Sequence, residues 1–285
     1  MIDLVSQYEQ LGESSGVTIN CDVPCHVLSG KNWQRDLAEM ENSIVFIDED
    51  NAFMKTYEFA HAARHSSNYY VLVAREALPQ LPYSVDEING LRNTARSSSK
   101  YPAYARVHTS VYRIFGDASF SGERPELVVV EDSHSGFDFF SALCAKSGIQ
   151  CVSAGGKSNV YRLLRECKES NILVIADGAA FGPEMAYVTS LMRFKKIRLF
   201  LPESFEWLVL KSPLLRDASV DKLLEHPAEY IESSEFFSWE TFFTRELVER
   251  TRDSYLGYRK SRLNPAYLQN RELGMISSEL PNLGI

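Results

Sequence analysis

The chain has 285 residues, 45% of them apolar and 24% charged, which fits about two globular domains and excludes disorder as the main state. Thirty Lys and Arg against 38 Asp and Glu give a net charge of −8. That balance excludes a protein that grips nucleic acid over its whole surface, so phosphate binding needs a local basic patch or a divalent metal. The five scattered cysteines argue against a disulfide framework; with no secretory leader and no apolar run of about 20 residues, a cytoplasmic chain without membrane contact is expected.

In chain order, Asp3–Gln10 reads as a short amphipathic helix, and Val17–Asn20 and Cys25–Leu28 as short strands. Cys21, Cys25 and His26 lack a second pair at a spacing that completes a tetrahedral metal site, so they read as structural. Trp33–Met40 is helical, with Trp33, Leu37 and Met40 on one face. Ser43–Ile47 is an unbroken apolar run, typical of a strand buried on both faces of a parallel sheet, and it ends in Asp48, Glu49 and Asp50. A helix with Phe53, Tyr57 and Ala60 as its stripe leads to a second such strand at Tyr69–Ala74.

The segment IVFIDED resembles the Walker B strand of P-loop nucleotidases, and YYVLVARE resembles the strand that follows it. The resemblance spans residues 17–90 and implies that Asp48 and Glu49 bind cofactor, holding the water shell of Mg²⁺ and polarising the attacking water. No complete G-x-x-x-x-G-K-[ST] is present. The nest and lysine that cradle phosphates are therefore missing, and ATP is expected only with a Walker A loop supplied from elsewhere. The structural alternative has Asp48 and Glu49 merely closing a strand.

Ser84 with Glu87 three residues on forms a capping box, the start of a helix. Arg92, Arg96, Lys100, Arg106 and Arg113 interleave with Tyr101, Tyr104 and Tyr112, a mixture that suits either single-stranded nucleic acid or a solvated linker face. Gly116–Pro125 reads as the domain boundary.

From there strands and helices alternate with short connections. Strands are expected at Glu126–Val130, Gly148–Ser153, Asn171–Ala176 and Lys196–Leu201. Between them lie a helix capped by Ser135 with Phe137, Phe140 and Cys144 inside, one capped by Ser158, and one with Pro183 in its first turn. Right-handed crossovers place the four strands in one parallel sheet with helices on both faces. Glu131, Asp132 and Asp177 then lie at carboxyl ends of strands, where ligands of such sheets gather. If the first and third strands are neighbours, Glu131 and Asp177 converge, and close carboxylates call for a hard cation such as Mg²⁺ or Mn²⁺. Lys157, on the Gly155–Gly156 turn, carries a positive charge into the same crevice.

An acid after the first strand, a glycine turn after the second and an aspartate after the third is the layout of the TOPRIM fold, and residues 126–205 resemble it, in particular the overcoming-lysogenisation-defect nucleases. The resemblance implies that Glu131 is a general acid/base and metal ligand, that Asp177 is the first aspartate of the D-x-D metal motif, and that Lys157 matches the G-G-K turn. Asp132 adds a further metal-ligand candidate. The second aspartate of D-x-D is replaced, since the run is Asp177-Gly178-Ala179. Glu184 and Glu203 are candidate substitutes, with a helix dipole and a helix cap as their bland roles. A receiver domain, with Asp177 phosphorylated, is the rival reading, and it lacks the later strand and lysine that it needs.

The remaining sequence reads as short helices at Glu206–Leu210 and Val220–Leu224, a longer helix at Glu240–Arg259 with a basic face that includes Lys260, and a loosely ordered Leu263–Ile285. The expected whole is an α/β protein of two parallel-sheet units with a helical C-terminal tail. Its parts are a P-loop-like region (1–122), a TOPRIM-like domain (123–205) and a helical extension (206–285). The function implied is Mg²⁺-dependent phosphodiester cleavage or nucleotide-dependent nucleic-acid processing. The alternative is a degenerate binding or regulatory module. Expected partners are nucleic acid, a partner ATPase or a second copy of the chain.

Overall fold

A computed structural model describes residues 2–12, 20–95, 107–115, 120–215, 217–227, 230, 236 and 238–285. The chain divides into two compact units, Met1–Leu81 with Ile231–Phe237, and Pro82–Tyr230 with Ser238–Ile285. The expected boundaries at 122/123 and 205/206 both fall inside the second unit.

The first unit comprises α1 (Ile2–Leu11), β1 (Cys25–Val27), α2 (Trp33–Ala38), β2 (Ile44–Ile47), α3 (Tyr57–Arg64) and β3 (Tyr69–Leu72). Its three strands are parallel in the order β1-β2-β3. Only β2 has a neighbour on both sides, and Val45, Phe46 and Ile47 are buried. On the edge strand β3, Tyr69 and Val71 are exposed, so the second apolar run is not buried on both faces as expected. Phe53 lies in a separate 3-10 turn, Ala52–Lys55, and α3 starts after Thr56, whose Oγ1 accepts the Phe59 amide at 3.2 Å. That phase exposes Tyr57 and buries Phe59, whose ring packs 5.8 Å from Trp33 and 5.5 Å from Phe53. The strand expected at Val17–Asn20 lies, except for Asn20, outside the described residues, and Asn20 is in no strand. His26 is held by Glu9, Nδ1 to Oε1 at 2.9 Å, in a structural role.

The second unit opens with a hairpin, β4 (Asn89–Ala95) antiparallel to β5 (Val107–Arg113). The capping box forms, with Ser84 N–H donating to Glu87 Oε2 at 2.8 Å, but it caps one 3-10 turn, Val85–Glu87, rather than a helix. The chain continues as β6 (Leu127–Val130), α4 (Ser135–Lys146), β7 (Gln150–Ser153), α5 (Lys157–Glu166), β8 (Asn171–Ile175), α6 (Met185–Leu191) and β9 (Lys196–Phe200). Then come α7 (Phe205–Lys211), α8 (Ala218–Glu225), α9 (Trp239–Thr251) and α10 (Asn270–Ser277). The four strands are parallel in the order β7-β6-β8-β9.

Alternation along β6 sorts the helices. Leu127 and Val129 share a core with Val160 and Leu164 of α5 and Met185 and Val188 of α6. Phe139, Phe140 and Cys144 of α4 are buried outside that core, on the opposite face. Each such side chain contributes about 1.5–3 kcal/mol when fully covered.

The C-terminal region is well packed, contrary to the loose order expected of it. Tyr267 and Ile276 are fully buried. The helix expected to reach Arg259 ends at Thr251, where the chain turns so that the Tyr258 amide donates to Thr251 Oγ1 at 3.0 Å. The last residues are stitched to the segment before β6 and to β9. Gly122 N–H donates to the Asn282 carbonyl at 2.9 Å, and Arg198 Nη1 to the Leu283 carbonyl at 3.3 Å. Gly284, at φ +81°, leaves no room for a Cβ against the Glu123 carbonyl.

Candidate functional site

The strand order β7-β6-β8-β9 makes β6 a switch point: the chain leaves β6 for β7 on one side and returns to β8 on the other. A crevice opens outside the carboxyl ends at such a point. Glu131 follows β6 directly, and Asp177 stands two residues beyond β8. The two acids meet there, the Asp177 amide donating to Glu131 Oε2 at 3.0 Å. The glycine turn after β7 reaches the same place, for Gly156 N–H donates to the Glu131 carbonyl at 2.7 Å. Gly155 and Gly156 adopt φ +71° and +126°, so the turn needs both glycines. Lys157 begins α5, in place of the expected Ser158 cap, and its Nζ donates to the Ala180 carbonyl at 3.0 Å, in the turn after Asp177. A cavity of about 20 Å³, lined by Glu131, Asp132, Gly136, Asp177, Pro202 and Phe205, has room for roughly one water.

Asp132 is engaged elsewhere. Its carboxylate accepts the amides of Gly136 at 3.2 Å and Phe137 at 2.7 Å, so it caps α4. Gly136 permits this, since a Cβ there would stand 3.0 Å from Asp132 Oδ2. Ser135, the expected cap, instead donates to the carbonyls of Arg259 at 2.9 Å and Lys260 at 3.0 Å, tying the C-terminal segment to the site.

Four residues from that segment and from α7 complete the cluster, and sequence reasoning missed their convergence. Glu206 is buried in the first turn of α7 and accepts the Tyr258 hydroxyl at 2.7 Å. Glu240, in the first turn of α9, pairs with the Lys260 ammonium. Acids in helix first turns look like partners of the dipole, and Lys260 looked like part of a solvated basic face, so only the fold brings them together.

The electrostatics follow from burial among like charges. Burial, opposed by the Asp177 amide and aided by Glu240, pushes the Glu131 carboxyl up to about 7. Burial first, then Glu131, Glu240 and Glu206, hold Asp177 well above the usual aspartate range. Burial alone would lower Lys260, but Glu206, Glu240 and Asp177 outweigh it and raise the ammonium's pKa. The Lys260 side chain is 45% exposed, so it sits at the rim of the cluster.

Of the candidate substitutes for the missing aspartate, Glu184 is raised by burial and lowered by Lys157. Glu203 is pushed up to about 7 by burial and by Asp86 and Glu87. It does not cap α7; Ser204 does, accepting the Trp207 amide at 3.1 Å. In the first unit, Asp48 Oδ1 accepts the Glu49 amide at 2.8 Å, and Glu49 takes a two-pronged contact from Arg75, with Nε and Nη2 each 2.6 Å from an oxygen.

Mg²⁺ commonly takes one or two protein carboxylates and fills the rest of its shell with water and substrate oxygens. Among the described residues no group of three His, Cys, Asp or Glu is arranged to hold a metal. As arranged, the crevice brings Glu131 and Asp177 together with Glu206, Glu240 and Lys260, and Lys157 stands beside Glu131. No described helix is long and apolar enough to cross a membrane. No protein-family model, curated protein or solved structure matches the chain.

Proposed function

We propose that this chain is a TOPRIM-like binding and regulatory module of nucleic-acid processing, acting beside a partner ATPase, in which Lys260 serves the acid crevice as its own counter-ion. The observation that carries this reading is the Lys260–Glu240 pair among Glu206 and Asp177. Crowded carboxylates are relieved by a proton or by a cation, and here the chain supplies a cation. The engagement of Asp132 as a helix cap supports the same reading.

A second reading is the metal-dependent nuclease, favoured by the high pKa of Glu131. A carboxyl that protonates near neutrality is one that its present surroundings under-neutralise, and a divalent cation would correct that. Mn²⁺ titration followed by electron paramagnetic resonance, with a phosphodiester cleavage assay, separates the two. The module reading expects wild type to bind no Mn²⁺ and cleave neither DNA nor RNA, and Lys260→Met to gain Mn²⁺ binding that Glu131→Gln abolishes. Mn²⁺ binding and cleavage by wild type, both lost in Glu131→Gln, would establish the nuclease instead.

A further inference from the structure

We propose that His61 and His65, one turn apart at the end of α3, form a two-imidazole chelate for a borderline divalent cation of the Zn²⁺ and Ni²⁺ class. The site lies wholly within the first unit and is independent of the acid crevice. Residues four apart on a helix are neighbours, with roughly 5–6 Å between their Cβ atoms. Here both side chains are exposed, and their rings stand 4.3 Å apart, centre to centre, tilted by 31°. A hydrogen bond sets which nitrogen of His65 is open. Its Nδ1 lies 2.8 Å from the His61 carbonyl oxygen. A carbonyl only accepts, so Nδ1 carries the proton, and in the neutral ring the lone pair is at Nε2. Metal-bound histidines are held in this way, with one ring nitrogen donating to a carbonyl or carboxylate and the other on the ion.

The surroundings select the kind of ion. Glu58 and Arg64, both exposed, stand three residues to either side of His61 and bring opposite charges to the helix surface. Their fields largely cancel at a distance, so lone pairs rather than charge define the ligand. Imidazole suits Zn²⁺, Cu²⁺ and Ni²⁺, whereas Mg²⁺ and Ca²⁺ take oxygen ligands. Two protein ligands leave the other coordination positions to water, in keeping with the absence of a group of three ligating side chains among the described residues. Mn²⁺ stands at the weak end of the divalent series for nitrogen sites, so the Mn²⁺ titration above reads the crevice and not this pair.

Calorimetric titration of the full chain with NiCl₂ tests this. Wild type is expected to bind Ni²⁺, and His61→Ala to bind it roughly tenfold or more weakly, because one ring alone forfeits the second, intramolecular contact. His65→Ala is expected to show a loss of the same size. His26→Ala, which removes a histidine held by Glu9, is expected to bind as wild type. Without metal, His61→Ala is expected to melt as wild type does, since Ala keeps the helix and leaves the carbonyl that His65 uses. Should that variant fold poorly, the wild-type NMR spectrum decides: Ni²⁺ is expected to broaden the ring protons of His61 and His65 first. Absence of Ni²⁺ binding by wild type, or of that selective broadening, overturns the proposal. Equal affinity in wild type and folded His61→Ala overturns it too and leaves His65 as a helix cap alone. Loss of binding in Cys25→Ser with none in His61→Ala would assign the metal to the bonded thiols of Cys21 and Cys25, again overturning it.

Discussion

Asp132 illustrates how an acid at a strand end is claimed by whatever forms beside it. The sequence places three acids, Glu131, Asp132 and Asp177, at two strand ends, and the fold sends one of them to the amides of α4 and leaves the other two facing each other. Asp132→Ala is expected to cost about 1 kcal/mol, as for a lost capping side chain, because two first-turn amides lose their acceptor, while Asp132→Asn retains most of the stability. Urea unfolding of the two variants checks this, and equal losses in both would point to a role for the charge itself. The meeting of Glu131 and Asp177 was legible because strand ends are marked by apolar runs, and adjacency of the first and third strands needs only one crossover. Glu206, Glu240 and Lys260 were not, because nothing in the local pattern of a surface helix tells where its first turn will dock.

At the scale of elements, the glycine turn between β7 and α5 holds Lys157 in the crevice. Gly156, at φ +126°, occupies a region that side chains rarely enter, and Gly155, at +71°, a milder one. Gly156→Ala is expected to cost about 1–3 kcal/mol, more than Gly155→Ala, as read by melting temperature. The alternation of strand and helix through residues 126–200 was readable in the sequence, since short connections between apolar strands leave few topologies. The edge position of β3 was not, because the expected pattern of a doubly buried strand and that of an edge strand in tyrosine and valine look alike. The phase of α3 was misjudged for a related reason: a 3-10 turn resets the helical period, so Phe53 and Tyr57 do not share a face. The packed C-terminal region was hidden by its polar composition, which surrounds a few large anchors such as Tyr267.

For the molecule as a whole, the raised carboxyls set how stability depends on pH. Glu131 and Glu203 both bind a proton more tightly folded than unfolded, each up to about 7. A group raised in this way contributes its full stabilisation below the ordinary glutamate range, near 4.5, and loses it as pH rises through 7. The protein is therefore expected to be more stable at about pH 5 than at about pH 8, with up to roughly 3 kcal/mol of the difference from Glu131. Urea midpoints across that range check the direction, and Glu131→Gln is expected to flatten the dependence.

The fastening of Leu283 to Arg198 and of Gly284 beside Glu123 anchors this segment at the amino-terminal margin of the sheet, across from the acid pair. A fluorophore or surface tether appended after Ile285 would thus leave the crevice unobstructed. Mechanical load applied through it would strain Leu283 against Arg198 first and then Asn282 against Gly122, before reaching β6.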